Sequence, residues 1–501
     1  MRPAVRRLAV VGALVVALLA APAAGDARAE VTATVDTPDG VATGHVEVDY
    51  RLIDAEGATA SVELAYSTDG GRSWRDATEG IGSHGTARRS AAPAPGASHR
   101  FVWDSFADVG ERSFAAVRLR VSPDGRGAKP GETGDFPLQN AGPVPGIRLV
   151  RGPYLQSVTT SRALVVWRTA QPTEGRVLWG EKPALGRVAD SGSGGPATEH
   201  AVSLEGLAAG RHYFYRVAAG DEPLSPLERF RAAPTPEGAE FSFLVFGDSG
   251  KGNQEQWDIA QRMELAGGDF AIHTGDIVYN RGEYEHYDPR FFAPYRAMLA
   301  RLPIYPSLGN HDVLTERGRP FVDHFHLPSA GSGTEKYYTF AWGNAQLFCL
   351  DSSRPTQLLP GLAQHRWLRR ELARSKATWR FVYFHHPPYS SGVHGSDILL
   401  RGALSPLFER AGVDIVFNGH DHDYERTTPR RDYEKDAPRG TVYVVTGAGG
   451  ALRTQKPDRN DFTVVFAAEQ HFTRVRIRER TLKLEAIRLD GSVLDAFELS
   501  K

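Results

Sequence analysis

The 501-residue chain contains a single cysteine, Cys349, which excludes an intramolecular disulfide whatever the redox state of its surroundings. Lying in the apolar run 345–350, it reads as a buried core residue with no chemistry of its own. Excess charge is missing too: Lys and Arg number 59 against 60 Asp and Glu, a formal net charge of −1. Leaving out residues 1–29, with Arg2, Arg6, Arg7, Arg28 and Asp26, changes this only to −4. Such a chain has no electrostatic footprint for nucleic acid. Nor does it contain the ~20 consecutive apolar residues that a spanning helix needs. The run 8–21 falls short, so no stable membrane span is expected. No internal repeat at solenoid periods is present.

The short apolar run has another meaning. It follows Arg2, Arg6 and Arg7 and precedes the small-residue site Ala27-Arg28-Ala29, so residues 1–29 read as an export signal. A secreted or periplasmic mature chain starting near Glu30 is expected, and Arg6-Arg7 leaves the general and twin-arginine routes both open.

The length suggests about three domains. Residues 30–141 offer short β-rich runs at 45–52, 61–67, 101–104 and 115–121, with a turn at 68–71 ahead of Ser73 and Trp74, and read as a β-sandwich. Gly142 to Gly146 punctuates the chain as a linker, and residues 147–236 read as a second small sandwich with strands at 163–167, 175–180 and 212–218. Tyr213 has the spacing of a tyrosine corner. From 240 to 501 apolar strands alternate with amphipathic helices, the pattern of an α/β layer architecture. One helix is expected over 289–300. Another is expected from Ser405 as N-cap, with Pro406 at its first position and Gly412 past its end.

Polar residues able to bind metals stand directly after five of the predicted strands, where α/β sheets collect their ligands. They are Asp248 in 247–250, Asp276 and Tyr279 in 275–279, Asn310, His311 and Asp312 in 309–312, His385 in 382–385, and His420 and His422 in 419–422. Four of the blocks open with glycine, which lets the backbone turn sharply and come close to an ion. Each block alone is an ordinary turn or core signal; the five together, in this order, point to a metal site.

The five blocks resemble the motif set of the purple acid phosphatases within the metallophosphoesterase superfamily, over about residues 147–475. Residues 419–426 are especially similar, and the second sandwich is similar to the fibronectin type III-like domain of plant-type members. The first sandwich lies outside this resemblance. The resemblance implies a four-layer αββα catalytic domain at 240–501. In it Asp248, Asp276, Tyr279 and His422 hold one metal, and Asp276, Asn310, His385 and His420 the other. Charge counting agrees: two carboxylates and a Tyr279 phenolate suit Fe(III), whereas the second set suits a divalent ion, Fe, Zn or Mn. The implied activity is hydrolysis of phosphate monoesters on small phosphorylated substrates by in-line attack of a metal-bound hydroxide. His311 and His394 are the candidates to contact phosphate and protonate the leaving group. Family members with two adjacent histidines at the second position differ from this chain, where Gly395 follows His394. His386 is expected to point to the other side of its strand, and Asp421 and Asp423 to face away or support histidines. Two alternatives stand beside this reading: a phosphodiesterase or nucleotide pyrophosphatase with the same metals, and a non-catalytic extracellular binding protein.

Overall fold

A computed structural model describes residues 30–501 apart from 39, 43–44, 81–82, 111, 126, 141–146, 193–194, 221, 432–433, 436–439 and 454–459. The expected export signal and the 142–146 linker lie outside the described residues.

Two all-β units precede an α/β region. In the first, the sheet Thr32–Val35, His45–Ile53, Ala97–Asp104 faces a sheet built on Phe136–Gln139, Ser113–Pro123, Val62–Ser67 and Arg75–Asp76. Alternating side chains of both meet in a core of their own, around Val48, Leu52, Trp103, Val117 and Leu119. The 68–71 turn leads into a pairing of Tyr66 with Arg75, as its sequence predicts. The second unit, with sheets on Arg162–Thr173 and His212–Ala219, shares one continuous core with the α/β region. Its Tyr213 hydroxyl accepts the Ala208 N–H at 2.8 Å, closing the tyrosine corner. Tyr215 donates to the Ala300 carbonyl at 2.6 Å, and Arg151 forks onto Asp288 at 2.5 and 3.0 Å, so this unit is fastened to the α/β region by both apolar and polar contacts.

The α/β region has four layers. A six-stranded sheet runs in the order Ile304–Pro306, Phe270–His273, Glu240–Phe246, His471–Arg478, Thr481–Arg488, Val493–Ser500. A seven-stranded sheet runs Tyr338–Trp342, Ala345–Cys349, Trp379–Tyr383, Ile415–Asn418, Val442–Thr446, Tyr424–Thr427, Thr463–Ala467. In the first, the three strands Ile304–Pro306, Phe270–His273 and Glu240–Phe246 are parallel and the other three antiparallel, and in the second the four strands from Ala345–Cys349 to Val442–Thr446 are parallel. Period-two alternation explains the stacking. Leu347, Phe381, Phe417 and Val444 point toward the other sheet, where Phe243 stacks on Phe270 at 4.9 Å and meets the Phe381 ring edge-on at 5.4 Å. Their neighbours Phe348, Val382, Val416 and Tyr443 point the other way and are covered by helices Ala363–Arg374 and Ile398–Ala411. Both faces being buried, these strands read as continuous apolar runs. Cys349 is fully buried, and burial raises its thiol pKa far above the usual value. Among the described residues no helix is long and apolar enough to cross a membrane.

Two helix expectations need correction. The helix containing Pro406 begins at Ile398, capped by the Asp397 carboxylate accepting the Leu400 N–H at 2.9 Å, and carries Pro406 in its interior. Apolar residues at 400, 403, 404, 407 and 408 bury one face from both sides of the proline, and that burial outweighs the missing backbone bond. Gly412 ends it in the left-handed conformation, φ 63°, as expected. The segment expected as one helix over 289–300 starts earlier, at Tyr284, passes through a π-turn at Asp288–Phe292, and resumes at Arg296–Leu299. The π-turn keeps Phe291, Phe292 and Tyr295 buried together, which a regular 3.6-residue helix does not require.

Candidate metal centre

The loops after Glu240–Phe246, Phe270–His273, Ile304–Pro306, Trp379–Tyr383 and Ile415–Asn418 converge at one end of the facing sheets. Asp248 and Asp276 sit there with left-handed backbones, both at φ 54°, as does His420 at φ 71°. These conformations are uncommon for residues with a side chain, and the packed loops hold them in place. The glycines of the blocks are required by closeness: a Cβ on Gly309 would lie 2.1 Å from Asp276 Oδ1, and one on Gly419 2.3 Å from Asp248 Oδ2.

All nine residues expected in the site come together. Asp248, Asp276 and His385 form its tightest knot, each offering a donor atom within 4.8 Å of the others, all three buried. His385 Nε2 lies 3.3 Å from Asp276 Oδ2, 3.0 Å from Asn310 Oδ1, 3.3 Å from His420 Nδ1 and 4.0 Å from Asp248 Oδ1. On the other side of Asp248, Oδ1 is 3.0 Å from the Tyr279 hydroxyl and 3.5 Å from His422 Nε2, and Tyr279 and His422 are themselves 3.1 Å apart. His311 donates its backbone N–H to Asp276 Oδ1 at 2.9 Å, packs its ring against Tyr279 at 4.7 Å and sets Nδ1 2.5 Å from the Asn280 carbonyl. The His394 ring stacks on His420 at 4.2 Å.

This donor set fits cations. The Thr274 carbonyl, 2.9 Å from His385 Nδ1, takes that N–H and leaves the Nε2 lone pair facing carboxylate and amide oxygens. Electron pairs then face one another with no hydrogen between them. Titration of the protein's own groups shows the same demand for positive charge. Burial alone would lower His385, but Asp276 and Asp248 push it up to about 10, so in the absence of a metal the pocket takes up a proton. Burial, then the two carboxylates, raise Tyr279 far above the usual phenol value, so forming a phenolate there calls for a strong cation. Burial, and after it His385, hold His420 low and therefore neutral, the form that ligates.

Several supporting groups behave differently from expectation or were not foreseen. His386 does not turn away: its strand ends at Tyr383, so strand alternation no longer governs it, and its ring lies 4.5 Å from His420 with Nδ1 2.8 Å from Ser352 Oγ. Asp421 supports a loop instead of a ligand, accepting the His394 N–H at 2.7 Å and the Ser390 hydroxyl at 2.5 Å. Asp312 gathers the N–H groups of Gly309, Ile277 and Val278 at 2.8, 3.0 and 3.3 Å, tying two metal loops together. Burial, then Asp276, raise its carboxyl to about 7. Sequence reasoning missed Lys251, whose ammonium lies 4.1 Å from the Tyr279 ring centroid, and the loop 447–453, which packs on the Asp248 block. The glycine run at 447–450 was the available signal.

Residues 241–424 match the family model described as a calcineurin-like phosphoesterase, which spans the five loops that carry the candidate ligands. Among known proteins, purple acid phosphatase 17 of Arabidopsis thaliana is 30% identical over 269 residues, covering 48% of this chain and 76% of that one. The chain belongs to the purple acid phosphatase family. Purple acid phosphatase 21 of the same plant is 29% identical over 282 residues, 52% of this chain, and the chain spans 61% of that relative's length. The solved structure of purple acid phosphatase PPD1 from yellow lupin superposes with a TM-score of 0.64 at 18% identity, covering 93% of this chain and 96% of that one. Such coverage takes in most of the first sandwich, so at the level of fold the likeness extends beyond residues 147–475. Family membership implies a binuclear metal centre, and the Asp248, Asp276, His385 knot is the candidate for its middle.

Proposed function

We propose that the protein is a phosphatase that hydrolyses phosphate monoesters with two metal ions. Asp248, Asp276, Tyr279 and His422 hold one of them and Asp276, Asn310, His385 and His420 the other. The observation that supports this most is the convergence of these seven side chains from five separate loops, with donor atoms 3.0–4.0 Å apart. The three anions of the first set favour Fe(III), and the single shared carboxylate of the second favours a divalent Fe, Zn or Mn. Bound there, such ions polarise phosphoryl oxygens, acidify water and stabilise the leaving oxygen.

The chain's own groups supply the rest. Asp276 orients both halves of the cage. His311, with Nδ1 fixed by the Asn280 carbonyl, holds its ring at the half-exposed edge where phosphate approaches, and His394, held through its backbone by Asp421, stands where a leaving group departs and donates its proton. The Ser249 hydroxyl, next to the ligand Asp248, is engaged 2.9 Å from His273 Nε2, outside the cage. In this reading water is the attacking group. Residues 1–29 would serve as an export signal, and the two sandwiches at 30–141 and 147–236 as separate domains ahead of the catalytic one.

The test compares p-nitrophenyl phosphate with bis(p-nitrophenyl) phosphate on the metal-loaded protein. The monoester should be the better substrate by at least about tenfold. A preference for the diester would move the reading to a phosphodiesterase with the same site, and no turnover of either would refute it.

A further inference from the structure

His311 and His394 are held in place by different means. The His311 ring is tied at Nδ1 to the Asn280 carbonyl, 2.5 Å away. The His394 ring is half-buried, has no hydrogen bond to either nitrogen among the described residues, and meets the cage by stacking on His420 at 4.2 Å. A stack alone lets a ring slide. The place of this proton donor is therefore set by its backbone, in the loop 390–396.

That loop is closed at its base, where the Ser390 N–H donates to Ser396 Oγ at 3.0 Å and the Ser396 hydroxyl to the Ser390 carbonyl at 3.1 Å. Its upper part rests on two buried carboxylates. Asp421 accepts the His394 N–H at 2.7 Å and the Ser390 hydroxyl at 2.5 Å, and the same hydroxyl oxygen accepts the Gly392 N–H at 2.9 Å. Glu425 accepts the Ser391 N–H and the Thr463 hydroxyl, both at 2.5 Å. Hydrogen bonds to an ionised acceptor are about twice as strong as neutral ones, and water does not compete for these two buried carboxylates. The fit has no slack: a Cβ on Gly392 would lie 2.4 Å from Asp421 Cγ and 2.6 Å from Asp423 Oδ2.

Asp421 is fixed from the cage side as well. It stands between His420 and His422, its N–H donates to the Gly419 carbonyl at 2.9 Å, and the backbone before it turns through the left-handed His420, φ 71°. What orders the two histidines orders the aspartate, and through it the donor loop. We propose that Asp421 is a positioning residue that sets His394 over the cage and so decides whether esters with poor leaving groups are cleaved. This rests on the phosphatase reading of the same site. In the step concerned, a bond from a water oxygen to phosphorus forms as the bond from phosphorus to the ester oxygen breaks, and the water gives up a proton to the medium. The departing oxygen keeps the electron pair and takes the imidazolium proton of His394, leaving an alcohol and a neutral ring. An alkoxide needs that proton, whereas p-nitrophenolate departs without it.

The experiment measures kcat for glycerol 2-phosphate and for p-nitrophenyl phosphate on the full-length, metal-loaded protein, in the wild type, Asp421→Ala, Asp421→Asn, Gly392→Ala and His394→Ala. The ratio of the two values does not depend on how much of a preparation is loaded, so partial loss of metal drops out of it. A donor displaced by ~1 Å should lower the ratio of glycerol 2-phosphate to p-nitrophenyl phosphate about 100-fold in Asp421→Ala, and His394→Ala should lower it by at least as much. Asp421→Asn keeps an oxygen for the His394 N–H and should stay within about fivefold of the wild type. Gly392→Ala drives the loop off Asp421 from the other side and should lower the ratio too, which serves where Asp421→Ala does not fold. With His394→Ala lowered, an unchanged ratio in Asp421→Ala, or in Gly392→Ala where the former does not fold, overturns the positioning role, because a carboxylate that only stabilised the fold would slow both esters alike. An unchanged ratio in His394→Ala also overturns it, by removing the donor to be positioned, and leaves the phosphatase reading standing. A wild type that cleaves neither ester refutes the phosphatase reading, and the positioning role with it.

Discussion

Gly309→Ala isolates the geometry of the cage from its chemistry, because it changes no ligand. The added Cβ would meet Asp276 Oδ1 at 2.1 Å and the Asp276 backbone nitrogen at 2.2 Å. Non-bonded carbon contacts are comfortable only from about 3.5 Å, so Asp276 or the 309–312 loop must withdraw by more than ~1 Å. Neither has room, since Asp276 is buried in a left-handed backbone and the loop is tied to Asp312 through the Gly309 N–H at 2.8 Å. Overpacking of this kind costs about 1–3 kcal/mol of stability, and a displacement of ~1 Å in a catalytic constellation costs about 10²-fold in rate. The variant should therefore remain folded by circular dichroism, lose bound metal, and hydrolyse p-nitrophenyl phosphate at least about 100-fold more slowly. Gly402→Ala is the control. Gly402 is inside helix Ile398–Ala411 with nothing within 4 Å of its Cβ position, so alanine should stabilise by about 0.5–1 kcal/mol and leave turnover as it was. Wild-type metal content and rate in Gly309→Ala would refute the argument that Asp276 and this loop are in rigid contact.

Removing the tyrosine corner by Tyr213→Phe should cost about 1–2 kcal/mol in denaturant unfolding, because the Ala208 N–H loses its acceptor in a part-buried place; no change would make the bond dispensable. His84 lines a cavity of about 180 Å³ between the first sandwich and Trp257, Pro294 and Arg296. Burial first, then Arg301 and Arg89, lower its imidazole to about 3. The neutral ring is favoured in the fold, so its contribution is whole above the unfolded pKa of about 6.5 and drains away as pH falls toward the folded value. Between pH 7 and 4.5 the unfolding free energy of His84→Gln should drop by about 2 kcal/mol less than that of the wild type; parallel pH profiles would remove His84 from the acid response. Tyr279→Phe should abolish a visible absorption band arising from phenolate and Fe(III), and a band that persists would assign the colour to another ligand.

Most strands were legible because their two buried faces produce unbroken apolar runs such as 243–246 and 415–417, and the ligands were legible because they follow those runs directly. What stayed hidden depends on contacts without a local period. Pro406 and Ser405 gave a strong local signal for a helix start, yet Asp397 caps the helix two turns earlier, and only packing against Phe348 and Val382 shows why. His386 was misplaced because alternation was extended beyond Tyr383, where the strand stops. The loop 447–453 reaches the site through backbone bonds from Ala451 to Asp248 and from Arg453 to His422, which no spacing rule encodes. Docking of the first sandwich is hidden in the same way. It relies on Gln261 donating to the Arg88 carbonyl at 2.6 Å and Arg296 to the Ser83 carbonyl at 3.0 Å, polar contacts that look like ordinary surface residues in the sequence.

Metal analysis of the purified protein beside Asp276→Asn reaches the centre of the account, because Asp276 is the one side chain assigned to both ions. The wild type should carry about two metal ions per chain, one of them iron, and the variant should lose both together with turnover while melting as a folded protein. Retention of a full metal complement by Asp276→Asn, or a wild type that binds none when offered iron, zinc and manganese, would contradict it.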